Sequence, residues 1–150
     1  MQLIRLTIFR SDTISGSCKE AGERFKLDLC LVMLEDDKLS VDNSTAEIAK
    51  KATVKSFFKD KLKSTIVSKC HLNSFIKEVP FIQAKDVPSI KMPIIQITGF
   101  SGKLSVISLA KKQEYKLEDV CSFKFPTSLQ QIQSRSIQEL VDFLFIVDVR

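Results

Sequence analysis

The chain has 150 residues, 44% of them hydrophobic and 27% charged, with a formal net charge of +5 at pH 7. That length supports one domain with a real core rather than two, and that balance excludes both a disordered chain and a membrane-embedded one. No apolar run reaches the roughly 18 residues of a membrane span.

The N-terminal Met1-Gln2-Leu3-Ile4-Arg5 lacks the long apolar segment of a signal peptide, so the expectation is an intracellular single domain over residues 1–150, cut from a longer chain or not. Gln2 to Arg10 alternates and reads as a strand, and polar Ser11 to Gly22, with two glycines, reads as a loop. Phe25 to Leu34 is an apolar run interrupted by Lys26 and Asp28, suited to a bent strand. Acidic Glu35 to Thr45 reads as an exposed, moving connection.

Two readings compete for the next segment. Ser44-Thr45-Ala46-Glu47 matches a capping box, and Val54, Phe58, Leu62 and Ile66 recur at helical spacing, which allows a helix from Thr45 to Val67. Against it, Lys55 and Lys59 fall near the apolar stripe, and Thr53, Val54 and the Phe57-Phe58 pair favour strand. The preferred reading is a helical turn near Ala46, a strand from Ala52 to Lys59, a turn at Asp60-Lys61 and a strand from Ser64 to Cys70.

Leu72 to Val79 reads as a short helix ended by Pro80, and Phe81 to Met92, with Pro88, as an irregular approach to a strand. Pro93 to Phe100 and Lys103 to Leu109, joined through Ser101-Gly102, form a hairpin. Lys111 to Asp119 reads as a charged loop, Val120 to Phe125 as a strand broken by Pro126, and the run from Ser136 as an amphipathic helix through Leu140, Phe143, Leu144 and Val147.

On a strand, Lys51, Thr53, Lys55, Phe57 and Lys59 would share one face, successive members about 7 Å apart, twice the rise per residue. A benzyl ring among lysines suits a single-stranded polyanion, whose bases stack on aromatic rings and whose phosphates meet cations. Phe57 is the candidate stacking platform, with Lys51, Thr53, Lys55, Lys59, Lys69 and Lys103 beside it; Tyr115 with Lys111, Lys112 and Lys116 forms a second group on a loop that could close over the strand. Each has a plainer reading: a core Phe57, a solvated lysine face, and a Tyr115 ring packed on a neighbour.

The element order strand, polar insertion, strand, strand, helix, strand, strand is that of the OB-fold. The expected fold class is therefore mainly β (α+β): a five-stranded Greek-key barrel with a short inter-strand helix and a C-terminal helix. Ala52 to Asp60 with Ser64 to Cys70, Ile94 to Phe100 with Leu104 to Leu109, and Ser122-Phe123-Lys124-Phe125-Pro126-Thr127 with the helix Ile137 to Phe145 resemble the strands and terminal helix of telomere-end-binding, protection-of-telomeres-type OB domains. The resemblance implies binding of G-rich, single-stranded chromosome-end DNA in the nucleus, without catalysis, and possible contact with telomere-complex protein subunits. The alternative is a protein–protein interaction module in a chromosome-associated complex, either a partner-binding OB-fold or a pleckstrin-homology-like barrel.

Catalytic and metal chemistry have little to stand on. Cys18, Cys30, Cys70 and Cys121 are too far apart for a zinc knuckle, and Cys70-His71 is the one place a thiol meets the single histidine, without a third ligand or a general-base partner in sequence. There is no Gly-rich phosphate loop or nucleophile elbow, so the expectation is no enzyme, no cofactor, no metal, no small-molecule substrate and no membrane.

Overall fold

A computed structural model of the chain describes residues 5–35, 38–49, 53–79, 81–134 and 136–148. The architecture is α+β: a mixed six-stranded sheet whose strands lie side by side in chain order. The strands are β1 (Arg5–Thr13), β2 (Leu27–Glu35), β3 (Lys38–Ala49), β4 (Met92–Thr98), β5 (Ser101–Lys111) and β6 (Glu114–Lys124). The helices are α1 (Gly16–Glu20), α2 (Val54–Glu78), α3 (Leu129–Gln133) and α4 (Ser136–Asp148), with a 3-10 turn at Val87–Ser89. Among the described residues no helix is long and apolar enough to cross a membrane.

All neighbouring strands pair antiparallel except β3 and β4, which run parallel from Thr45↔Ile94 to Ala49↔Thr98. A parallel pair cannot be closed by a hairpin and needs a long crossover; α2 supplies it. The chain thus repeats one plan, a three-stranded meander followed by a helix, and joins the two copies along β3 and β4.

The helices take opposite faces. Leu72 of α2 packs with Met92, Ile94 and Ile107, whereas Phe143 of α4 packs with Ala46, Ile95, Leu104 and Phe123. Consecutive residues Ile94 and Ile95 point to opposite faces, as strand geometry requires, and each finds its own helix. A third cluster, Cys18, Leu27, Cys30 and Val67, seats α1 against α2. Ser15 caps α1, its Oγ accepting from the Cys18 amide at 3.3 Å, and lies 2.9 Å from Nε2 of the fully buried His71, tying the two helices together.

Several expectations are corrected. The strands Ala52 to Lys59 and Ser64 to Cys70 do not form, because from Val54 onward this stretch is the 25-residue helix α2; Lys51 and Ala52 lie outside the described residues. The spacing that allowed a helix prevails over the β-propensity of single residues, which tertiary packing commonly overrides. Yet its apolar stripe is not the buried one. Ser64, Val67, Ser68, His71 and Leu72 face the sheet, at the helical intervals of three and four, while Phe58 and Leu62 stay 64% and 62% exposed.

The acidic connection Glu35 to Thr45 and the turn near Ala46 are strand β3 from Lys38, paired with β2 and burying Ser44, Thr45 and Glu47; Asp36 and Asp37 lie outside the described residues. The loop Ser11 to Gly22 holds the end of β1 and α1, and the charged loop Lys111 to Asp119 is mostly strand β6. The five-stranded Greek-key barrel is replaced by an open sheet: two of its strands are helix, and among the described residues no pairing joins edge strands β1 and β6.

The β4–β5 hairpin and the C-terminal helix form as expected. Gly102, opposite Phe123 across β5 and β6, is needed there, since a Cβ would run into the Phe123 ring. That ring cannot easily yield, with Phe143 at 3.9 Å and Phe125 at 5.1 Å between centroids. Gly102→Val is therefore expected to cost about 1 to 3 kcal/mol by overpacking. In urea titrations, Gly102→Val should cost distinctly less when Phe123 is already alanine, because the two sites share one space.

Candidate functional site

The residues expected to form one nucleic-acid face are dispersed by α2. Thr53, Lys55 and Lys59 are exposed, and Lys51 lies outside the described residues. Phe57 turns toward the sheet and is half-buried, meeting Phe58 edge-on at 6.1 Å between centroids. It lines a small cleft with Glu47, Ala49, Asp60, Gln96, Ile97 and Thr98, so the charged groups beside it are carboxylates rather than the expected lysines.

The second group is also differently placed. Tyr115 is half-buried on β6, its hydroxyl donates to Asn73 Oδ1 at 2.7 Å, and Lys69 Nζ sits 4.9 Å from its ring centroid. A ring capped by α2 is not an open platform. Lys111 pairs with Glu114 at 3.9 Å and Lys116 with Glu118 at 2.9 Å, while Lys112 is exposed at the β5–β6 turn.

Lys103 donates to Asp119 Oδ2 at 2.7 Å; Oδ1 of the same carboxylate accepts from Ser105 at 2.7 Å and lies 3.4 Å from Lys61 Nζ. The hydrogen bonds from Lys103 and Ser105 hold the Asp119 carboxyl down to about 2. Sequence reasoning missed this cluster because the residues that meet the carboxylate come from two other elements, β5 and α2. Much of the expected cationic surface is neutralised in this way by β6.

What α2 leaves in solvent is a different surface. Lys55, Phe58, Lys59, Leu62 and Lys69 recur on its outward side, with Ile66 half-exposed among them. Phe100, 66% exposed in the β4–β5 turn, stands at the same end of the sheet, where the Gly99 amide donates to the Ala49 carbonyl at 2.8 Å. Two large apolar side chains one helical turn apart, flanked by cations, form an amphipathic strip rather than a phosphate track.

The cleft under the first turns of α2 holds buried polar side chains. Glu47 and Gln96 sit side by side across the parallel pair, each 5% exposed. Lys63 Nζ holds Glu47 Oε2 at 2.6 Å, and among the described residues neither Glu47 Oε1 nor Gln96 Oε1 has a hydrogen-bond partner. Burial pushes the Glu47 carboxyl up to about 7, opposed by Lys63 and reinforced by Asp28 and Asp60. Among the described residues no group of three or more His, Cys, Asp or Glu is placed to hold a metal ion.

Comparison with protein-family models, with curated proteins and with solved structures returns no match. Function therefore has to be argued from these surfaces.

Proposed function

We propose that the chain is a non-catalytic protein-interaction domain whose docking face is the outward side of α2, and that its partner presents an acidic amphipathic segment. The observation that carries this reading is the exposure of Phe58 and Leu62, 64% and 62%, on a helix whose opposite side, with Ser64, Val67, Ser68 and Leu72, already meets the sheet. Folding gives no reason to direct a second apolar stripe outward, and exposed aromatic and aliphatic clusters with a charged border are typical of docking surfaces. Lys55, Lys59 and Lys69 border the stripe, so carboxylates beside the apolar anchors complete the match.

Single-stranded DNA is the second reading. The net charge of +5 and the exposed Phe58 ring beside Lys55 and Lys59 support it; on that reading the chain works in the nucleus, at G-rich chromosome ends with telomere-complex subunits. It draws less support here, because the paired strands behind that resemblance are one helix and Phe57 lies against Glu47 and Asp60.

Fluorescence anisotropy with a labelled acidic amphipathic helix peptide and a labelled G-rich oligonucleotide decides between them. The expected result is peptide binding that Phe58→Ala and Leu62→Ala each weaken by about 2 kcal/mol, the usual size of a hot spot, with unfolding stability changed by less than about 0.5 kcal/mol as for surface sites. Oligonucleotide binding without peptide binding would overturn the docking reading in favour of the second.

A further inference from the structure

The outward face of α2 is basic and apolar, and the chain itself holds an acidic segment of matching form. Helix α4 carries Glu139, Asp142 and Asp148 and no Lys or Arg. Phe143 and the half-buried Leu140 turn it toward the sheet. Ile137 and Val141, one turn apart, are left out of that contact at 42% and 48% exposure, with exposed Glu139 and Asp142 beside them. Helix α3 adjoins α4 and adds exposed Leu129 and Ile132. Apolar residues scattered singly are ordinary on a protein surface, whereas a group of them with a charged border marks a contact.

The strips on α2 and α4 match in spacing and in charge. Each is built on an i, i+4 apolar pair, Phe58 with Leu62 and Ile137 with Val141. Rows at that spacing are the ridges that interlock when helices pack, with axes about 8 to 10 Å apart. Half-exposed Ile66 continues the first strip by a turn, and Leu129 with Ile132 widens the second. The borders are opposite in sign, Lys55 and Lys59 against Glu139 and Asp142. Such complementarity fixes which faces meet: two α2 faces would bring lysines together, and two α4 faces carboxylates.

Within one chain the strips cannot meet. Leu72 seats α2 on the side of the sheet that Ile94 presents, and Phe143 seats α4 on the side that Ile95 presents, so their outward faces look in opposite directions. The match is available only between copies, and one copy can use both faces at once.

We propose that the occupant of the α2 docking face is α4, flanked by α3, of a second copy of this chain, a head-to-tail contact that rests on the docking reading above. Because the two surfaces differ, each contact leaves one unused face at either end, and copies add in rows or close into rings. A contact of a few side chains from each copy lies at the small end of interface sizes, which corresponds to a Kd on the order of 10 μM.

Sedimentation velocity of the full chain over a concentration series tests this, in about 0.15 M salt to screen the net charge of +5 on each copy. The expected result is a mass that grows with concentration past that of a dimer. Leu62→Asp and Val141→Asp each replace an exposed residue, and each is expected to stop that growth while circular dichroism and the urea midpoint stay those of the parent chain. Mixed in equal amounts, the two variants should form a 1:1 complex and nothing larger, since one supplies an intact α4 and the other an intact α2. Glu139→Lys, which keeps the apolar contacts, should weaken association about tenfold. Association that Val141→Asp and Glu139→Lys leave unchanged, or variants that stay apart on mixing, would overturn the proposal. A parent chain that stays monomeric while binding an acidic amphipathic peptide through Phe58 overturns the second copy and leaves the docking face standing; failure of both removes the docking face as well.

Discussion

Leu72→Ala is expected to remove about 2 to 5 kcal/mol of unfolding stability, the range for deleting a fully buried leucine. Leu72 is 0% exposed and joins α2 to Met92, Ile94 and Ile107 across two strands. The space it leaves is bounded on one side by the sheet and on the other by a helix that His71 and Ser15 tie to α1, so collapse into it is restricted. For a domain of ordinary stability, about 5 to 15 kcal/mol, that is a large fraction of the total. Urea titration of the two proteins measures it, and equal midpoints would mean that α2 does not pack on the sheet through this residue. Leu62→Ala, on the outward side of the same helix, is the internal control, with a change below about 0.5 kcal/mol.

Stability is expected to fall as pH rises from about 4.5 to about 7, and Glu47→Gln should remove that fall. The Glu47 carboxyl is raised from 4.5 to about 7 by burial, so within this window the folded chain keeps a proton that the unfolded chain has released. Where the folded state binds more protons, stability declines with increasing pH. Below 4.5 both states are protonated and the contribution is fully present; above 7 both are ionised and it is gone. At 1.36 kcal/mol per unit the loss is on the order of 3 kcal/mol, with the opposing effect of the Lys63 ammonium against Oε2 already contained in the shift.

Asp119 acts in the opposite sense and in another window. Its carboxyl is lowered to about 2, so its contribution is present above 3.8 and lost as pH falls through about 2. Paired thermal melts of the parent chain and Glu47→Gln at pH 5 and pH 7.5 therefore isolate Glu47. An identical pH dependence in the two proteins would show that this carboxyl ionises in the folded state as it does in water.

The β4–β5 hairpin and the terminal helix were legible because their patterns are local. Met92 to Thr98 and Ser101 to Lys111 are apolar runs with a short glycine-bearing turn between them, and Phe143 and Leu140 recur on one helical face. Strand β3 was not legible, since Ser44, Thr45 and Glu47 look like surface residues until α2 meets them with Ser68 and Lys63. The same holds for α2, whose sheet-facing side mixes Ser64, Ser68 and His71 with Val67 and Leu72, while Phe58 and Leu62 stay in solvent. A pattern reader takes hydrophobic for buried, and on this helix Phe58 and Leu62 break that rule while Val67 and Leu72 keep it.

The candidate site divides in the same way. Residue types alone marked Phe57 and its flanking lysines as worth attention, and Lys55 and Lys59 are indeed in solvent. Their arrangement was decided elsewhere, because a strand would place Phe57 beside the lysines while a helix sends it inward and its neighbour Phe58 outward.

By itself, then, the amino-acid order determined an α+β chain of one domain size, with its central hairpin, its final helix and an excess of lysine. Only tertiary structure decided that β3 and β4 run parallel, that α2 crosses between them, and that Glu47 and Gln96 are buried side by side. The physical reason is that hairpins and helical faces are set by neighbours in the chain. The burial of a serine or a glutamate depends instead on a partner some 16 to 49 residues away, such as Lys63 for Glu47 and Gln96 across from it.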